Sequence, residues 1–295
     1  MGVERQVTGV KKRIWILAAL AVCLLLGLEV YRSNCCLTVE YETFSSDKLT
    51  EAIRIVHLSD LHNREFGENN RQLLDRVSGQ KPDLILFTGD LVTGHIKETD
   101  TAMNLVEELV KIAPVYVSVG NHEQQHEKNF GSDLIGMLNY RGARVMEYSY
   151  EDVTVKGQNL RVGGISGYCV PEIYLRTGEA KVPECDYLKE FQDTSRCTLL
   201  MCHMPVSWIL NDAISYWDTD VVFSGHAHGG QFRLPLLGGV CAPDMGLFPG
   251  RLEGQFPSRD GTKTMILSRG LGNSVPVPRL NNPPQILVVD LVPAQ

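Results

Sequence analysis

The stretch GHAHGGQ, residues 225–231, directly follows Val221–Ser224, a short and mostly apolar run that is typical of a buried strand. His226 and His228 are two residues apart, so along an extended chain their imidazoles point to the same side. The glycines on both sides let the backbone come close to a ligand. The stretch therefore predicts a strand that ends in a ligand-binding turn.

Four earlier polar clusters use the same residue types, and each follows an apolar run. They are DLH at 60–62, TGD at 88–90, GNHE at 120–123 and CH at 202–203. Each cluster alone has a purely structural explanation, such as a helix cap or a buried histidine. In open α/β sheets, however, ligand sites gather at the carboxyl ends of the strands. One shared site at such an edge accounts for all five clusters together.

The residue types in these clusters favour a metal site. Asp60 and His62 are two apart near a strand end and project to one face about 6–7 Å apart, so both can reach one ion. Asp90 ends a buried run, where a carboxylate is costly unless it is paired or binds a cation, and its two oxygens can bridge two ions. The amide oxygen of Asn121 can bind a metal while the adjacent His122 points at a substrate.

Strand-like and helix-like segments alternate from residue 51 onward. The predicted strands are Ile53–Leu58, Leu84–Thr88, Val115–Val119, Thr198–Cys202, Val221–Ser224 and Thr264–Ser268. Helical periodicity and capping signals predict helices over Thr101–Ile112 and Ser132–Tyr140. Alternation of this kind predicts α/β layers around buried sheets.

The N-terminal part of the chain carries an uncharged apolar run, Ile14–Leu28, which four basic residues precede. Its length and the lack of a clear cleavage site favour an uncleaved signal-anchor helix within residues 1–32, with a cleaved signal as the alternative. The positive-inside rule then predicts a cytoplasmic N-terminus and a catalytic domain outside the cytoplasm, held at the cell membrane. We expect a polar tether over residues 33–50 and one domain over residues 51–295.

Composition limits the classes of function. With 43% hydrophobic and 21% charged residues the chain can bury a full core. Its net charge of -7 opposes binding to long nucleic acid, which needs many basic residues. The eight cysteines contain no CxxC pair of the kind found in structural zinc sites. Outside the cytoplasm Cys169, Cys185 and Cys197 could include a disulfide, and buried free thiols are the alternative.

The order of the five clusters resembles the calcineurin-like metallophosphoesterase superfamily, from about residue 51 to the end of the chain. The stretches GHAHGGQ at 225–231 and SRGLG at 268–272 are similar to its bacterial membrane-associated or exported branch. The resemblance implies an α/β/β/α sandwich of two mixed sheets flanked by helices, here preceded by one N-terminal transmembrane helix. It also implies an active enzyme, because no ligand position departs from the pattern.

The resemblance further implies a role for each residue of the clusters. It implies that one divalent ion is held by Asp60, His62 and His228. It implies that a second ion is held by Asn121, His203 and His226. Asp90 would bridge the two ions, and His122 would be the catalytic histidine near the scissile phosphate.

The chemistry of this ligand set indicates a hydrolase. Mixed imidazole, carboxylate and amide ligands suit Mn, Fe or Zn better than Ca. Two such ions about 3.5–4 Å apart can activate a bridging hydroxide for in-line attack on phosphorus. His122, if protonated, would stabilise the developing charge or protonate the leaving group. We expect hydrolysis of a phosphomonoester or a phosphodiester, and the membrane anchor suggests a lipid- or envelope-linked phosphate.

Two other functions stay open at this point. The chain could be a catalytically silent metal-binding scaffold for a membrane partner, although the intact clusters oppose this. It could also be a nuclease of the same chemistry, which its acidic balance opposes.

Several residues outside the clusters have two interpretations. Arg269 and Arg279 either contact a phosphate or are solvated at the surface. Asn63 and Gln231 adjoin the clusters. They either orient the ligand side chains or have no role in the site. The apolar stretch Leu234–Phe256 is either a lip near the membrane or the substrate, or a simple surface loop. The remaining three histidines are expected to be structural or exposed: His57, His95 and His126.

Overall fold

The computed structural model describes residues 2–166 and 183–294. It begins with a long helix, α1, Gly2–Cys35. The part of α1 from Arg13 to Cys35 is long and apolar enough to cross a membrane, and the apolar run Ile14–Leu28 within it is exposed. A buried core helix in this segment is therefore excluded.

The remaining elements alternate between strands and helices. The first half contains β1 Thr38–Ser46, β2 Ile53–Leu58, α2 Arg71–Gly79, β3 Leu84–Thr88, α3 Asp100–Leu109, β4 Val115–Ser118, α4 Asn121–Phe130, α5 Leu134–Tyr140 and β5 Arg144–Met146. The second half begins with β6 Ser149–Val155, β7 Gln158–Ile165, α6 Pro183–Phe191, β8 Cys197–Cys202, α7 Val206–Leu210, α8 Ala213–Tyr216 and β9 Val221–Ser224. It ends with β10 Arg233–Leu234, β11 Gly238–Gly239, β12 Cys241–Ala242, β13 Gly246–Leu247, β14 Gly254–Pro257, β15 Thr264–Leu267 and β16 Gln285–Pro293.

Two six-stranded mixed sheets form the body of the domain. The first has the order β1-β16-β2-β3-β4-β5, and the second has the order β14-β15-β9-β8-β7-β6. In the first sheet β2, β3, β4 and β5 run parallel, and β16 is antiparallel to β2. In the second sheet β15, β9, β8 and β7 run parallel, and the strands at both edges are antiparallel.

Apolar side chains alternate along the strands and fill three layers. Ile53 and Ile55 of β2 pack between the two sheets against residues such as Phe223 of β9. Val56 and Leu58 of the same strand instead face the outer layer under α2, α3 and α5. A third cluster lies beneath α6, α7 and α8 on the outer face of the second sheet. Helices therefore flank both sheets, which confirms the expected α/β/β/α sandwich.

The segment over residues 33–50, for which the sequence suggested a tether, is largely part of the sheet. Strand β1 runs parallel to β16 at the edge of the first sheet, with Thr38 opposite Gln285 and Ser46 opposite Pro293. Phe44 and Leu49 are buried in the layer between the sheets. The segment looks polar in sequence because one face of an edge strand stays in water, so only every second side chain needs to be apolar.

Helix boundaries and cysteines differ from the sequence expectations in detail. Helix α5 begins at Leu134, and its cap is Asp133, whose Oδ1 accepts a hydrogen bond from Gly136 N at 2.8 Å. Cys185 and Cys197 are both buried, and Cys197 is a free thiol in the structure. Cys169 lies outside the described residues.

Candidate metal centre

The five polar clusters meet at one edge of the sandwich. Strands β2, β3 and β4 are parallel neighbours in the first sheet, and β8 and β9 are parallel neighbours in the second. The carboxyl ends of these strands are followed by Asp60 and His62 after β2, Asp90 after β3, Asn121 and His122 after β4, His203 after β8, and His226 and His228 after β9. Residues far apart in the chain thus converge because parallel strands end at the same edge.

Imidazole nitrogens lie close to the buried carboxylates of Asp60 and Asp90. Nε2 of His62 lies 4.0 Å from Asp60 Oδ1 and 3.5 Å from Asp90 Oδ2. Nε2 of His228 lies 3.7 Å from Asp60 Oδ1, and Nε2 of His203 lies 3.1 Å from Asp90 Oδ2. Two atoms bound to one ion at about 2.1 Å can be at most about 4.2 Å apart, so each of these pairs can share an ion.

The candidate ligand atoms form overlapping groups. Within each of three sets of residues, the potential ligand atoms lie within 4.8 Å of one another. The sets are Asp60, His62 and His228; His62, Asp90 and His122; and Asp90, His203 and His226. Asp90 and His62 each belong to two sets. An arrangement of this kind can hold two neighbouring cations, with Asp90 between them.

Several polar atoms in this cluster are buried without a hydrogen-bond partner. They are both ring nitrogens of His62 and Oδ1 of Asn121. Buried polar atoms are normally paired, because leaving one unpaired costs about 1–3 kcal/mol. Buried nitrogen and oxygen atoms with a free lone pair are the ligands that a bound cation needs. The residues present therefore fit a metal.

Burial and charge perturb the acidity of these groups in opposite directions. Burial raises the pKa of Asp90, but the imidazoles of His203 and His62 outweigh it and hold that pKa below its usual range. Burial lowers the pKa of His203, and the nearby Asp90 carboxylate reverses this and raises it to about 10. Burial lowers the pKa of His62 to about 4 and that of His228 to about 3. Both are therefore neutral at physiological pH, which is the form that binds metals.

The backbone of the cluster is held in an uncommon conformation. Positive φ angles occur at Asp60 (54°), His62 (50°), Asp90 (55°), His226 (67°) and His228 (47°). The left-handed region is disfavoured for residues with a side chain, and such strain persists where the surrounding structure and function require it. The sharp turns after the strands aim these side chains into the centre.

Glycines allow the two sheets to approach closely at the centre. A Cβ at Gly225 would overlap Ser59 Oγ and lie 2.5 Å from Asp60 Oδ2. Without that Cβ, the backbone N–H of His226 reaches Asp60 and donates a hydrogen bond to Oδ1 at 3.0 Å. The close approach therefore locks the carboxylate of the first sheet to the turn after β9 in the second.

His122 occupies a different position from the other histidines. Its backbone N–H donates to Asp90 Oδ1 at 2.9 Å, and its Nδ1 accepts a hydrogen bond from Gly94 N at 3.0 Å. Its ring packs edge-on against the ring of His62, with 4.7 Å between the centroids. Because Nδ1 is an acceptor, the ring proton is on Nε2.

Three supporting groups were not singled out from the sequence. The buried carboxylate of Glu123 accepts hydrogen bonds from the backbone of Asp90 (2.7 Å), Gly120 (2.8 Å) and Val92 (3.2 Å). Burial, together with the charge of Asp90, raises the pKa of Glu123 to about 7.

The other two supporting groups hold histidine rings. The backbone carbonyl of Thr88 accepts from Nδ1 of His203 at 2.6 Å. A carboxylate oxygen of Asp244 lies 3.0 Å from Nε2 of His226. Glu123 is part of GNHE and Thr88 is part of TGD, whereas Asp244 lies outside the five clusters.

Both arginines are buried, which excludes the interpretation that they are solvated at the surface. Arg269 pairs with Glu40 and Glu253. Arg279 is fully buried and donates to Gly272 O at 2.6 Å, with its Nη2 also 3.3 Å from Nδ1 of His228. Their partners are protein groups, and Arg279 supports a ligand candidate from behind.

The remaining polar residues next to the clusters, Asn63 and Gln231, donate hydrogen bonds to backbone carbonyls outside the clusters. Asn63 Nδ2 donates to Glu98 O at 3.0 Å, and Gln231 Nε2 donates to Val277 O. As expected, the other histidines are structural or exposed. His57 Nε2 is 2.8 Å from Thr88 Oγ1, His126 is buried against Ser132 and Lys97, and His95 is exposed.

Comparisons with known proteins agree with this geometry. The family model described as calcineurin-like phosphoesterase matches residues 53–230. The chain is 28% identical over 281 residues to an uncharacterized metallophosphoesterase of Aquifex aeolicus, which covers 92% of this chain and 97% of that protein. It is 27% identical over 252 residues to phosphodiesterase YaeI of Escherichia coli, with 81% of this chain and 82% of that protein covered.

Other similarities cover less of the compared protein. An uncharacterized metallophosphoesterase of Campylobacter jejuni is 26% identical over 248 residues, which are 82% of this chain and 60% of that protein. The crystal structure of a 5'-nucleotidase precursor from Thermus thermophilus superposes with a TM-score of 0.50 and 14% identity, over 74% of this chain and 49% of that one. The latter shows a shared fold alone. By its family model, its relatives and its metal-ligand groups, the chain belongs to the calcineurin-like phosphoesterase family and is a metal-dependent phosphoric ester hydrolase.

Proposed function

We propose that this protein hydrolyses a phosphate ester with two divalent ions bound at the sandwich edge. Their ligands would be Asp60, His62, Asp90, Asn121, His203, His226 and His228. The observation that carries this proposal is the convergence of two buried carboxylates with five imidazoles, together with buried atoms of His62 and Asn121 that lack a hydrogen-bond partner. When bound, a pair of divalent ions supplies a hydroxide nucleophile at neutral pH and positive charge for the phosphate oxygens.

The carboxylates of Asp60 and Asp90 place two negative charges at this edge, and bound cations would neutralise them. Asp60 is fully buried and Asp90 is 1% exposed, so their charges are not neutralised by water. The side chain of Asp90 lies within reach of both histidine groups, which supports its role as the bridge. The mixture of nitrogen and oxygen ligands favours Mn, Fe or Zn.

His122 would act as a hydrogen-bond donor to the phosphate group. Its Nδ1 accepts from Gly94 N, so the neutral ring presents the Nε2 proton as a donor. A ring in this state can stabilise charge on a phosphate oxygen or on the leaving group. The hydrogen bond at Nδ1 leaves Nε2 as the ring atom that can face the phosphate. We therefore assign His122 the role of charge stabiliser rather than general acid.

We propose that the substrate is a diester or monoester at a membrane surface, with a lipid- or envelope-linked phosphate as the preferred class. The E. coli relative carries the name phosphodiesterase, which favours a diester. The end of α1 supports a membrane location of the centre. Asn34 in α1 donates to Arg279 O at 2.9 Å and accepts from Arg279 N at 3.0 Å, and Arg279 contacts His228. One residue thus separates the end of the candidate membrane helix from the metal centre.

The orientation of the chain follows from the basic residues before the apolar run. They favour a cytoplasmic N-terminus, so the domain over residues 51–295 would lie outside the cytoplasm. This supports an envelope substrate and opposes long nucleic acid, which the net charge of -7 also disfavours.

Hydrolysis by the full-length protein in detergent tests the proposal. The protein is stripped with a chelator, reloaded with Mn²⁺, and given an aryl phosphomonoester, an aryl phosphodiester and a phospholipid of each type. We expect hydrolysis only after reloading and a preference for the diester and the lipid. Hydrolysis of none of the four substrates would overturn the proposed activity. Hydrolysis of the aryl esters alone would overturn the lipid assignment only.

A further inference from the structure

A set of exposed apolar side chains lies in two loops, one after strand β9 and its histidines and one after strand β15. It consists of Leu236, Leu237, Leu247, Phe248, Val275 and Val277, here called the apolar rim. Leu236 is fully exposed, and Leu247 and Phe248 are 71% and 55% exposed. Single exposed apolar residues are ordinary, but several in neighbouring loops indicate a contact surface.

The sequence of these loops is unusual for a surface in water. Between Leu234 and Gly250 the only charged residue is Asp244. The second loop, SVPVP at 274–278, has no charged residue. Loops at a water-exposed surface normally carry polar and charged residues, so this composition fits a surface that contacts an apolar phase.

Hydrogen bonds join the loops of the apolar rim into one surface. Val240 N donates to Phe232 O and Phe248 N donates to Val240 O, both at 2.8 Å. Gln231 Nε2 donates to Val277 O, which ties the second loop to the first. The six apolar side chains therefore project from loops that are held together.

The apolar rim is also tied to the end of α1. Asn281 N donates to Glu29 Oε1 at 3.0 Å, and Asn281 Nδ2 donates to Arg233 O at 3.2 Å. Leu236 and Asn281 line the same surface groove. Leu236 is three residues from Arg233, so it lies within about 10 Å of that residue along the chain.

The position of Glu29 indicates where the apolar rim lies relative to the membrane–water boundary. Glu29 is the first charged residue after the apolar run Ile14–Leu28, and Arg32 follows one turn later. Charged residues at the end of a spanning helix lie at the membrane–water boundary. Because Asn281 contacts Glu29, the loops of the apolar rim begin at that boundary.

We infer that the apolar rim is a membrane-contact surface whose side chains enter the same bilayer leaflet as the end of α1. The occupant is the phospholipid bilayer itself, since hydrogen bonds from Asn281 connect the loops of the apolar rim to Glu29 of the candidate membrane helix. The inference rests on the membrane anchoring proposed above and does not depend on which ester is hydrolysed.

Contact of this kind would hold the metal centre against the headgroups. Asp244 lies in the turn between β12 and β13, next to Leu247 and Phe248 of the apolar rim, and bonds His226. The polar end of this hairpin therefore faces the centre, while its apolar residues face outward. A phosphate ester in a headgroup could then reach the centre while its acyl chains stay in the bilayer.

Photo-crosslinking of the full-length chain tests this inference. The amino acid p-benzoylphenylalanine replaces Leu236 in one variant and Phe248 in another, and each is reconstituted in nanodiscs of equimolar phosphatidylethanolamine and phosphatidylglycerol. The matched control carries the probe at Tyr140, an aromatic residue that is 88% exposed on α5. We expect phospholipid adducts from both positions of the apolar rim and none above background from position 140.

Equal adduct yields at all three positions, or no lipid adduct from positions 236 and 248, would overturn the inference. Adducts to a second copy of the chain instead of lipid would do so as well. The two positions lie on different hairpins, so a local folding defect at one leaves the other as a readout. Adducts form without turnover, so failure of this test and failure of the proposed hydrolysis are distinguishable.

Discussion

Nε2 of His226 lies 3.0 Å from Oδ2 of Asp244, which stands in the exposed turn between β12 and β13. A histidine that binds a metal through one ring nitrogen normally donates the other N–H to a carboxylate or carbonyl. The contact therefore leaves Nδ1 of His226 for an ion and fixes the ring. His203 has the equivalent arrangement, with Thr88 O as the acceptor.

Replacing Asp244 tests this supporting role. In Asp244→Ala the ring of His226 loses its carboxylate, so we expect metal affinity to fall about 10–100-fold, with little change in folding stability. Titration of the metal-free protein with Mn²⁺ or Zn²⁺ measures it. Asp75→Ala on α2 is the control, since that side chain is 70% exposed. Equal affinities in the two variants would remove Asp244 from the site.

Glu123 holds the loops that carry the ligand candidates. Its two oxygens accept three backbone N–H groups, and in Glu123→Gln the amide N–H₂ faces at least one of them. We expect a loss of about 1–3 kcal/mol in the free energy of unfolding of the metal-free protein. Urea denaturation followed by circular dichroism measures it. Glu98→Gln, at an exposed position, should be neutral, and a neutral Glu123→Gln would contradict the account.

Close approach at Gly225 predicts a steric effect on the centre. In Gly225→Ala the new methyl would collide with Ser59 and crowd Asp60, so we expect a loss of about 1–3 kcal/mol in unfolding free energy and weaker metal binding. Gly79→Ala is the matched control, because its Cβ meets open space. Thermal unfolding and metal titration of both variants provide the comparison. Identical behaviour of the two would show that the turn can shift away from Asp60.

The donor role of His122 predicts a graded series of activities. We expect His122→Ala to lower kcat by about 10²–10³-fold while the bound metal content stays unchanged. His122→Gln keeps an N–H donor and should retain more activity than the alanine variant. If both variants are equally inactive, the ring acts by proton transfer instead. If His122→Ala behaves like the wild type, a non-catalytic scaffold becomes the better explanation.

Parts of the fold could be predicted from sequence because the signals are local. Three strands have the predicted boundaries: Ile53–Leu58, Leu84–Thr88 and Val221–Ser224. Each is a short apolar run that is followed by a polar cluster. Strand β1 was missed because its partner β16 is at the other end of the chain and stabilises a segment that looks polar alone. Pairing between distant segments leaves no local pattern.

The candidate site shows the same division between local and distant signals. The cluster residues were recognisable because Asp, His and Gly recur at strand ends, and the structure brings these residues together at one edge. Asp244 was not recognisable, because its contact depends on how a hairpin folds back over His226. Arg279 was ambiguous, because only packing against Gly272 and His228 shows that it is buried. The roles of the ligand residues remain predictions.

The central claim is that Asp90 joins two ions in one centre, and metal content tests it most directly. The full-length wild type and Asp90→Asn are loaded with Mn²⁺, freed of unbound metal, and analysed by inductively coupled plasma mass spectrometry, with hydrolysis of an aryl phosphodiester measured on the same samples. We expect two ions per chain in the wild type, and at most one ion with no metal-dependent hydrolysis in Asp90→Asn. Two ions and full activity in Asp90→Asn, or a single ion in the active wild type, would contradict the account.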